Sequence, residues 1–198
     1  MRLCVDLCSG LGGFSAAFRD APDWEVVTVD VDPSFRPTIV ADVCHLPLRN
    51  GIEPEVLLMS PPCERFSKAP RIWPKKGIGK ALELVGACLE AVVSLNPKYW
   101  CLENPHARLR WFIGYPNSSP ELGNYGYRTA KPTDLWGNIP FKLLPSVRPP
   151  RKGNHHKGPW ESFGMGREGW RNFDAVRDPK KRALMPDGLS QAILEAVS

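Results

Sequence analysis

The chain has 198 residues, 42% of them hydrophobic and 24% charged, which suits one globular domain with a sizeable buried core. Its net charge of +5 leans toward polyanionic partners. No apolar stretch reaches the roughly 18 residues a membrane-spanning helix needs, and no signal-peptide pattern precedes Leu3-Cys4-Val5-Asp6-Leu7, so a cytoplasmic protein without membrane association is expected.

In chain order, Leu3 to Leu7 reads as a buried strand, followed by the turn Ser9-Gly10-Leu11-Gly12-Gly13 and a helix opening at Phe14 to Phe18. Glu25 to Val29 is a second strand ending in Asp30, and Thr38 to Val40 a short third leading to Asp42. Glu55 to Met59 is a fourth, running into Ser60-Pro61-Pro62-Cys63. Lys80 to Leu95 is helical, with Leu82, Val85, Leu89 and Val92 on one face. Tyr99 to Leu102 is a fifth strand ending at Glu103-Asn104-Pro105. Beyond residue 106, Pro, Gly, Trp and Arg become dense. Tyr125 to Arg128 and Thr133 to Trp136 read as short strands, residues 145–180 as loop, and Gly188 to Val197 as a helix with Leu189, Ile193 and Val197 inward.

Strands alternating with helices predict an α/β fold on a mostly parallel sheet with helices on both faces. Asp30, Asp42, Cys63 and Glu103 then fall at or just beyond C-terminal strand ends, the edge where such sheets bind ligands.

The Gly-rich turn permits close backbone approach to a ligand at a helix N-terminus. Its G-x-G-G spacing is a poor nicotinamide fingerprint, and a purely structural turn is an equal rival. Two prolines present Cys63 rigidly, and nearby Arg65 and Lys68 favour the thiolate; a packed, inert cysteine is the rival reading. Glu103 supplies a carboxyl group, or alternatively caps a helix starting near His106. The six cysteines include no C-x-x-C pair, which argues against zinc and against a disulfide framework. His155-His156 has no partner carboxylates nearby, and no metal is expected. The basic residues between Arg65 and Lys80, and between Arg148 and Arg171, suit phosphate contacts or a solvated face equally.

Taken together and in this order, the segments resemble the cytosine-C5 DNA methyltransferase family, particularly its small phage-type members. Asp6 to Gly13 matches the family's cofactor loop, Val29-Asp30-Val31 its acidic ribose-binding position, and Ala41-Asp42-Val43 its adenine contact. Pro62-Cys63-Glu64-Arg65-Phe66-Ser67 matches the nucleophile loop and Glu103-Asn104-Pro105 the Glu-Asn-Val motif. The match is good over residues 3–105 and looser afterwards, through Lys131-Pro132-Thr133 to Trp136 and at Leu184 to Ser190.

The resemblance implies a Rossmann-like S-adenosylmethionine-dependent methyltransferase. Cys63 and Glu103 would be catalytic. Asp6, Cys8, Ser9, Gly10, Leu11, Gly12, Gly13, Asp30, Val31, Asp42, Val43, Ser60 and Pro62 would form the cofactor site. Arg65, Ser67, Lys68, Arg71, Lys75, Lys76 and Asn104 would meet nucleic acid, double-stranded DNA being the expected substrate, with the target base flipped out and the loop from Lys68 to Lys80 closing over it. Location with nucleoid or viral DNA follows.

Four departures stand out: Cys8 replaces an adenine-stacking Phe, Glu64 replaces Gln, the Gln-x-Arg-x-Arg segment is not visible, and the C-terminal Gly-Asn motif is missing. Arg128 is the substitute expected for that Arg segment. One domain is expected: a core over 1–105, a reduced recognition segment over 106–185 and a C-terminal helix over 186–198 packing beside the cofactor pocket, with a protein partner completing target recognition. RNA, single-stranded DNA or a modified cytosine stays open as substrate, as does a non-catalytic regulator that binds the cofactor.

Overall fold

The structure is a computed structural model, and it describes residues 1–46, 52–66, 77–127, 131–140 and 184–198. Six strands form one sheet in the order β3-β2-β1-β4-β5-β6. They are β1 (Arg2–Leu7), β2 (Trp24–Asp30), β3 (Ile39–Val40), β4 (Val56–Met59), β5 (Tyr99–Pro105) and β6 (Thr133–Gly137). All neighbours are parallel except β5 and β6. The central strands are short apolar runs because both their faces are covered; every residue of β4 is buried.

Alternate side chains of these strands enter two cores. Cys4, Val56, Leu58, Cys101 and Leu135 pack with Phe18 of α1 (Ala16–Asp20) and with Leu189, Ile193 and Val197 of α4 (Asp187–Val197). Val5, Leu57, Met59, Leu102 and Trp136 pack with α2 (Ile78–Leu95). Helices thus cover both faces. The buried stripe of α2 is Val85, Cys88, Ala91 and Leu95, with Leu82, Leu89 and Val92 at its flanks. The buried stripe is therefore rotated from the expected face, with the small Cys88 and Ala91 side chains within it. Asn96, left-handed at φ 45°, ends α2 by donating its N–H to the Val92 carbonyl.

The C-terminal helix holds the start of α1 in place. The Ser190 hydroxyl donates to the Phe14 carbonyl at 2.8 Å and accepts from the Ala17 N–H at 3.0 Å. A Cβ on Gly13 would stand 2.6 Å from the Met185 carbonyl oxygen, so only glycine lets the two segments approach this closely.

Three expectations are corrected. Glu103, Asn104 and Pro105 lie within β5 rather than beyond it, because antiparallel pairing with β6 extends the strand as far as Pro105 opposite Thr133. No helix starts near His106 for Glu103 to cap; the short α3 (Arg110–Ile113) begins later. Leu122–Tyr125 is a 3-10 turn rather than a strand at Tyr125, closed by Gly126 at φ 94°. Arg128, the Lys68 to Lys76 part of the basic loop, and the segment 145–180 lie outside the described residues.

Candidate active site

From β1 the chain builds outward to β2 and β3 on one side and to β4, β5 and β6 on the other. The crevice above the C-terminal ends of β1 and β4 is therefore the topological switch point, where open α/β sheets bind ligands. The Gly-rich turn follows β1 and Cys63 follows β4.

Backbone hydrogen bonds shape the turn. Ser9 N–H donates to the Val29 carbonyl at 3.1 Å and Gly12 N–H to the Ser9 carbonyl at 2.8 Å. Asp30, buried at the end of β2, accepts from Gly10 N–H at 2.8 Å and Asp32 N–H at 2.9 Å. Gly12 sits at φ 71° with the Arg19 guanidinium where a Cβ would be. Beneath the turn Asp6 is fully buried and accepts the Ser15 hydroxyl at 2.7 Å. Burial raises its carboxyl to about 7, against the opposing effects of Ser15 and Arg19.

Buried Asp6 Oδ1, Ser9 Oγ and Ser60 Oγ have no hydrogen-bond partner among the described residues. Such atoms are costly unless a ligand or water satisfies them. Leu11 and Val31 stand exposed nearby in sequence, at the turn and just past β2. Free polar atoms, an acidic strand end and exposed apolar side chains fit a group with a charged amino-acid end, a ribose and a purine, as S-adenosylmethionine has. Ser60 follows β4, while Pro62, one residue before Cys63, is exposed.

Asp42 is about half exposed and accepts Cys44 N–H at 2.9 Å. That bond, with His45 3.4 Å away, holds its carboxyl below the usual range. Val43 beside it is buried in the core on the α2 side. Cys8 has a left-handed backbone, φ 56°, and packs against the core that includes Cys88 of α2.

The loop that carries Cys63 is tied at both ends. Ser60 N–H donates to the Leu7 carbonyl at 3.1 Å, and the Asn104 side-chain amide donates to the Pro61 carbonyl at 2.9 Å. Phe66 N–H donates to the Cys63 carbonyl at 2.9 Å, while the buried Phe66 ring packs against Phe112. Asn104, expected to meet nucleic acid, is fully buried and supports this loop instead.

Burial, then the Glu103 charge, raises the half-buried Cys63 thiol, and the Lys131 ammonium opposes them. Lys131, rather than the exposed Arg65, is the cation that bears on Cys63 among the described residues. Ser67, Lys68, Arg71, Lys75 and Lys76 lie outside them.

Glu103 is 5% exposed, and burial raises its carboxyl to about 7, with Thr133 and Lys131 pulling the other way. The Thr133 hydroxyl hydrogen-bonds Glu103 Oε1 and also faces the Asn104 carbonyl at 3.0 Å. One hydroxyl proton cannot serve both acceptors. With Glu103 ionised, Thr133 donates to it; with Glu103 protonated, the carboxyl can donate to Thr133, which then donates to Asn104.

Lys131 and Thr133 were not singled out from sequence as site residues. Their only signal was the Lys131-Pro132-Thr133 stretch, which carried a likeness but no role.

Two other features are structural. Asp134, fully buried, binds the Arg110 guanidinium at 2.6 and 3.1 Å and lies 3.1 Å from His106 Nδ1, anchoring α3 to β6. At the opposite end of the strands, a cleft beside Arg2, Glu55 and Lys98 has its charges paired at 2.8 and 3.1 Å. Among the described residues no cluster of His, Cys, Asp and Glu could hold a metal ion, and no helix is long and apolar enough to cross a membrane.

No protein-family model matches the chain. The "Probable DNA (cytosine-5)-methyltransferase" of Frog virus 3 (isolate Goorha) is 30% identical over 159 residues, covering 70% of this chain and 71% of the relative. The crystal structure of an E. coli prophage-encoded protein described as a DNA modification methyltransferase superposes with TM-score 0.52 at 18% identity, over 75% of this chain and 52% of that one. The S. pombe Dnmt2 methyltransferase superposes with TM-score 0.46 at 16% identity, over 69% of this chain and 50% of that one. The chain thus spans about half the length of these two solved structures.

The sheet order and the glycine turn at its switch point define a Rossmann-like methyltransferase fold. Within that class, the chain belongs to the DNA (cytosine-5)-methyltransferase family.

Proposed function

We propose that the protein methylates carbon 5 of cytosine in DNA, with Cys63 as nucleophile and Glu103 as acid. The observation that carries this reading is a rigidly tied thiol just past β4 and, in the neighbouring strand β5, a buried carboxyl raised to about 7, at the switch-point end of the sheet.

Cytosine C5 is a weak nucleophile until C6 is attacked. The Cys63 thiolate adds to C6, forming an S–C6 bond and moving an electron pair toward C5 and N3, while Glu103 delivers its proton to N3. S-adenosylmethionine, when bound, supplies the methyl group that C5 accepts; Asp6, Ser9, Asp30 and Ser60 would hold it. A base then removes the C5 proton, the S–C6 bond breaks, and the N3 proton returns to Glu103. A base stacked in a duplex cannot reach Cys63, so the reading includes extrusion of the target nucleotide. Arg65 and the basic residues after it would bind the phosphates.

The test is a duplex containing 5-fluorocytosine, which blocks the loss from C5, incubated with the protein and labelled cofactor. A covalent adduct is expected, and Cys63→Ala should abolish it. An adduct that persists in Cys63→Ala overturns the nucleophile assignment. An adduct on RNA and none on DNA overturns the substrate. Bound cofactor with no adduct on either overturns the enzymatic reading.

A further inference from the structure

The turn after β1 is covered by a cation that the proposed chemistry does not use. Arg19 stands in the last turn of α1, where a basic side chain ordinarily serves the helix's own C-terminal carbonyls. Its guanidinium instead reaches back to Gly12, ahead of the helix. A Cβ built on Gly12 would meet Arg19 Nη1, with Cζ 3.2 Å and Nη2 3.4 Å away. Helical side chains lean toward the N-terminus, which aims this one at the turn. Gly12, at φ 71° and without a side chain, leaves the room that the guanidinium occupies.

The backbone that carries Arg19 is fixed. Its N–H donates to the Ser15 carbonyl at 3.2 Å, and the adjacent Phe18, fully buried, meets the Trp24 ring edge-on at 4.8 Å. Short contacts then lead from Arg19 to the polar atoms of the turn. Gly12 N–H bonds the Ser9 carbonyl at 2.8 Å, and the Ser15 hydroxyl bonds Asp6 at 2.7 Å. Ser9 Oγ and Asp6 Oδ1 are two of the buried oxygens with no partner among the described residues. Arg19 itself is exposed, and no carboxylate among the described residues forms an ion pair with it. Ordering so long a side chain costs entropy, and packing on one glycine returns little of it.

The amino-acid end of S-adenosylmethionine presents an ammonium and a carboxylate on a single carbon. Asp6 offers an acceptor to the ammonium. The carboxylate calls for a donor of opposite charge, and a planar guanidinium supplies paired N–H groups matched to it. We infer that Arg19 binds the α-carboxylate of S-adenosylmethionine and selects for a cofactor whose amino-acid end is intact. The inference rests on the cofactor site proposed above.

Calorimetry on the full chain separates this role from one in packing. Two ligands are compared: S-adenosylhomocysteine, and its decarboxylated analogue, which keeps the adenosine, the thioether and the amine. Wild-type protein should prefer the first by about tenfold. In Arg19→Met the preference should vanish through weaker binding of S-adenosylhomocysteine alone, while Arg19→Lys should keep part of it. Thermal melts without ligand check that each variant folds. Equal weakening of both ligands in Arg19→Met would mean that Arg19 only packs the turn, and overturns the inference; so does a preference that survives the substitution. Should Arg19→Met not fold, Arg19→Gln is read by the same ratio, and an unaltered ratio overturns the inference. Wild-type protein that binds neither ligand fails the cofactor site itself, whereas binding with no preference for the carboxylate fails Arg19 alone.

Discussion

The Thr133 hydroxyl meets Glu103 Oε1 across the antiparallel β5–β6 pair, joining residues 30 positions apart in the chain. It is the one side-chain hydrogen bond recorded for the buried carboxyl among the described residues, and it pulls Glu103 toward the ionised form against the burial that raises it to about 7. Thr133→Val removes the donor, so Glu103 should hold its proton to higher pH. If Glu103 acts as the acid, activity falls as it ionises, and the alkaline limb of kcat against pH should move upward by about one unit. A pH–rate series on both proteins checks this; an unmoved limb excludes Glu103 as the group it reports.

Two buried carboxyls, Asp6 and Glu103, both stand at about 7 in the folded protein, against roughly 4 in an unfolded chain. Between those values the folded state binds more protons than the unfolded one. Their contribution to stability is therefore full below about pH 4 and is lost as pH rises through about 7. Urea midpoints should fall between about pH 5.5 and 8.5, and Glu103→Gln should flatten part of that slope. A midpoint that rises over this range contradicts the assignment.

Gly13→Ala places a methyl group 2.6 Å from the Met185 carbonyl oxygen. The C-terminal segment must shift, at a cost of about 1–3 kcal/mol. Denaturant titration should show it, together with weaker cofactor binding, since the same turn carries Ser9 and Gly10.

Ser190→Ala removes one donor and one acceptor between α4 and the start of α1. The expected loss is about 1–2 kcal/mol, and hydrogen exchange at Ala17 N–H should quicken. Exchange as slow as in the wild type would show that α4 does not hold this turn.

Asp30→Ala frees Gly10 N–H and Asp32 N–H, which both bond its carboxylate. If Asp30 is the ribose partner proposed above, loosening the turn and removing it together should weaken S-adenosylmethionine binding by about tenfold to a hundredfold, measured by calorimetry. Unchanged affinity would move the cofactor site elsewhere.

Much of the fold is legible in the sequence. Short apolar runs punctuated by Gly and Pro identified five parallel strands, because a sheet covered on both faces demands unbroken hydrophobicity. Glycine spacing located the turn after β1, and two prolines located Cys63. The α4 face was legible too, since Leu189, Ile193 and Val197 recur at helical spacing. The α2 face was legible in part: Val85 is buried and Leu82, Leu89 and Val92 pack at its flanks, but Cys88 and Ala91, which carry little hydrophobic signal, share the buried stripe.

By itself, the sequence determined the order of the motifs and the strand end to which each chemical group belongs. Local propensity and period-two patterning encode those features within a few residues. Only the tertiary structure decided which groups share a space. It ran β6 antiparallel beside β5, bringing Thr133 to Glu103, and it packed Cys8 into the core that holds Cys88. Strand pairing is a long-range contact, and alternation along a strand gives its faces without naming its neighbour. A thiol and a carboxyl can be read along a chain, but the hydroxyl that meets the carboxyl is chosen by the sheet.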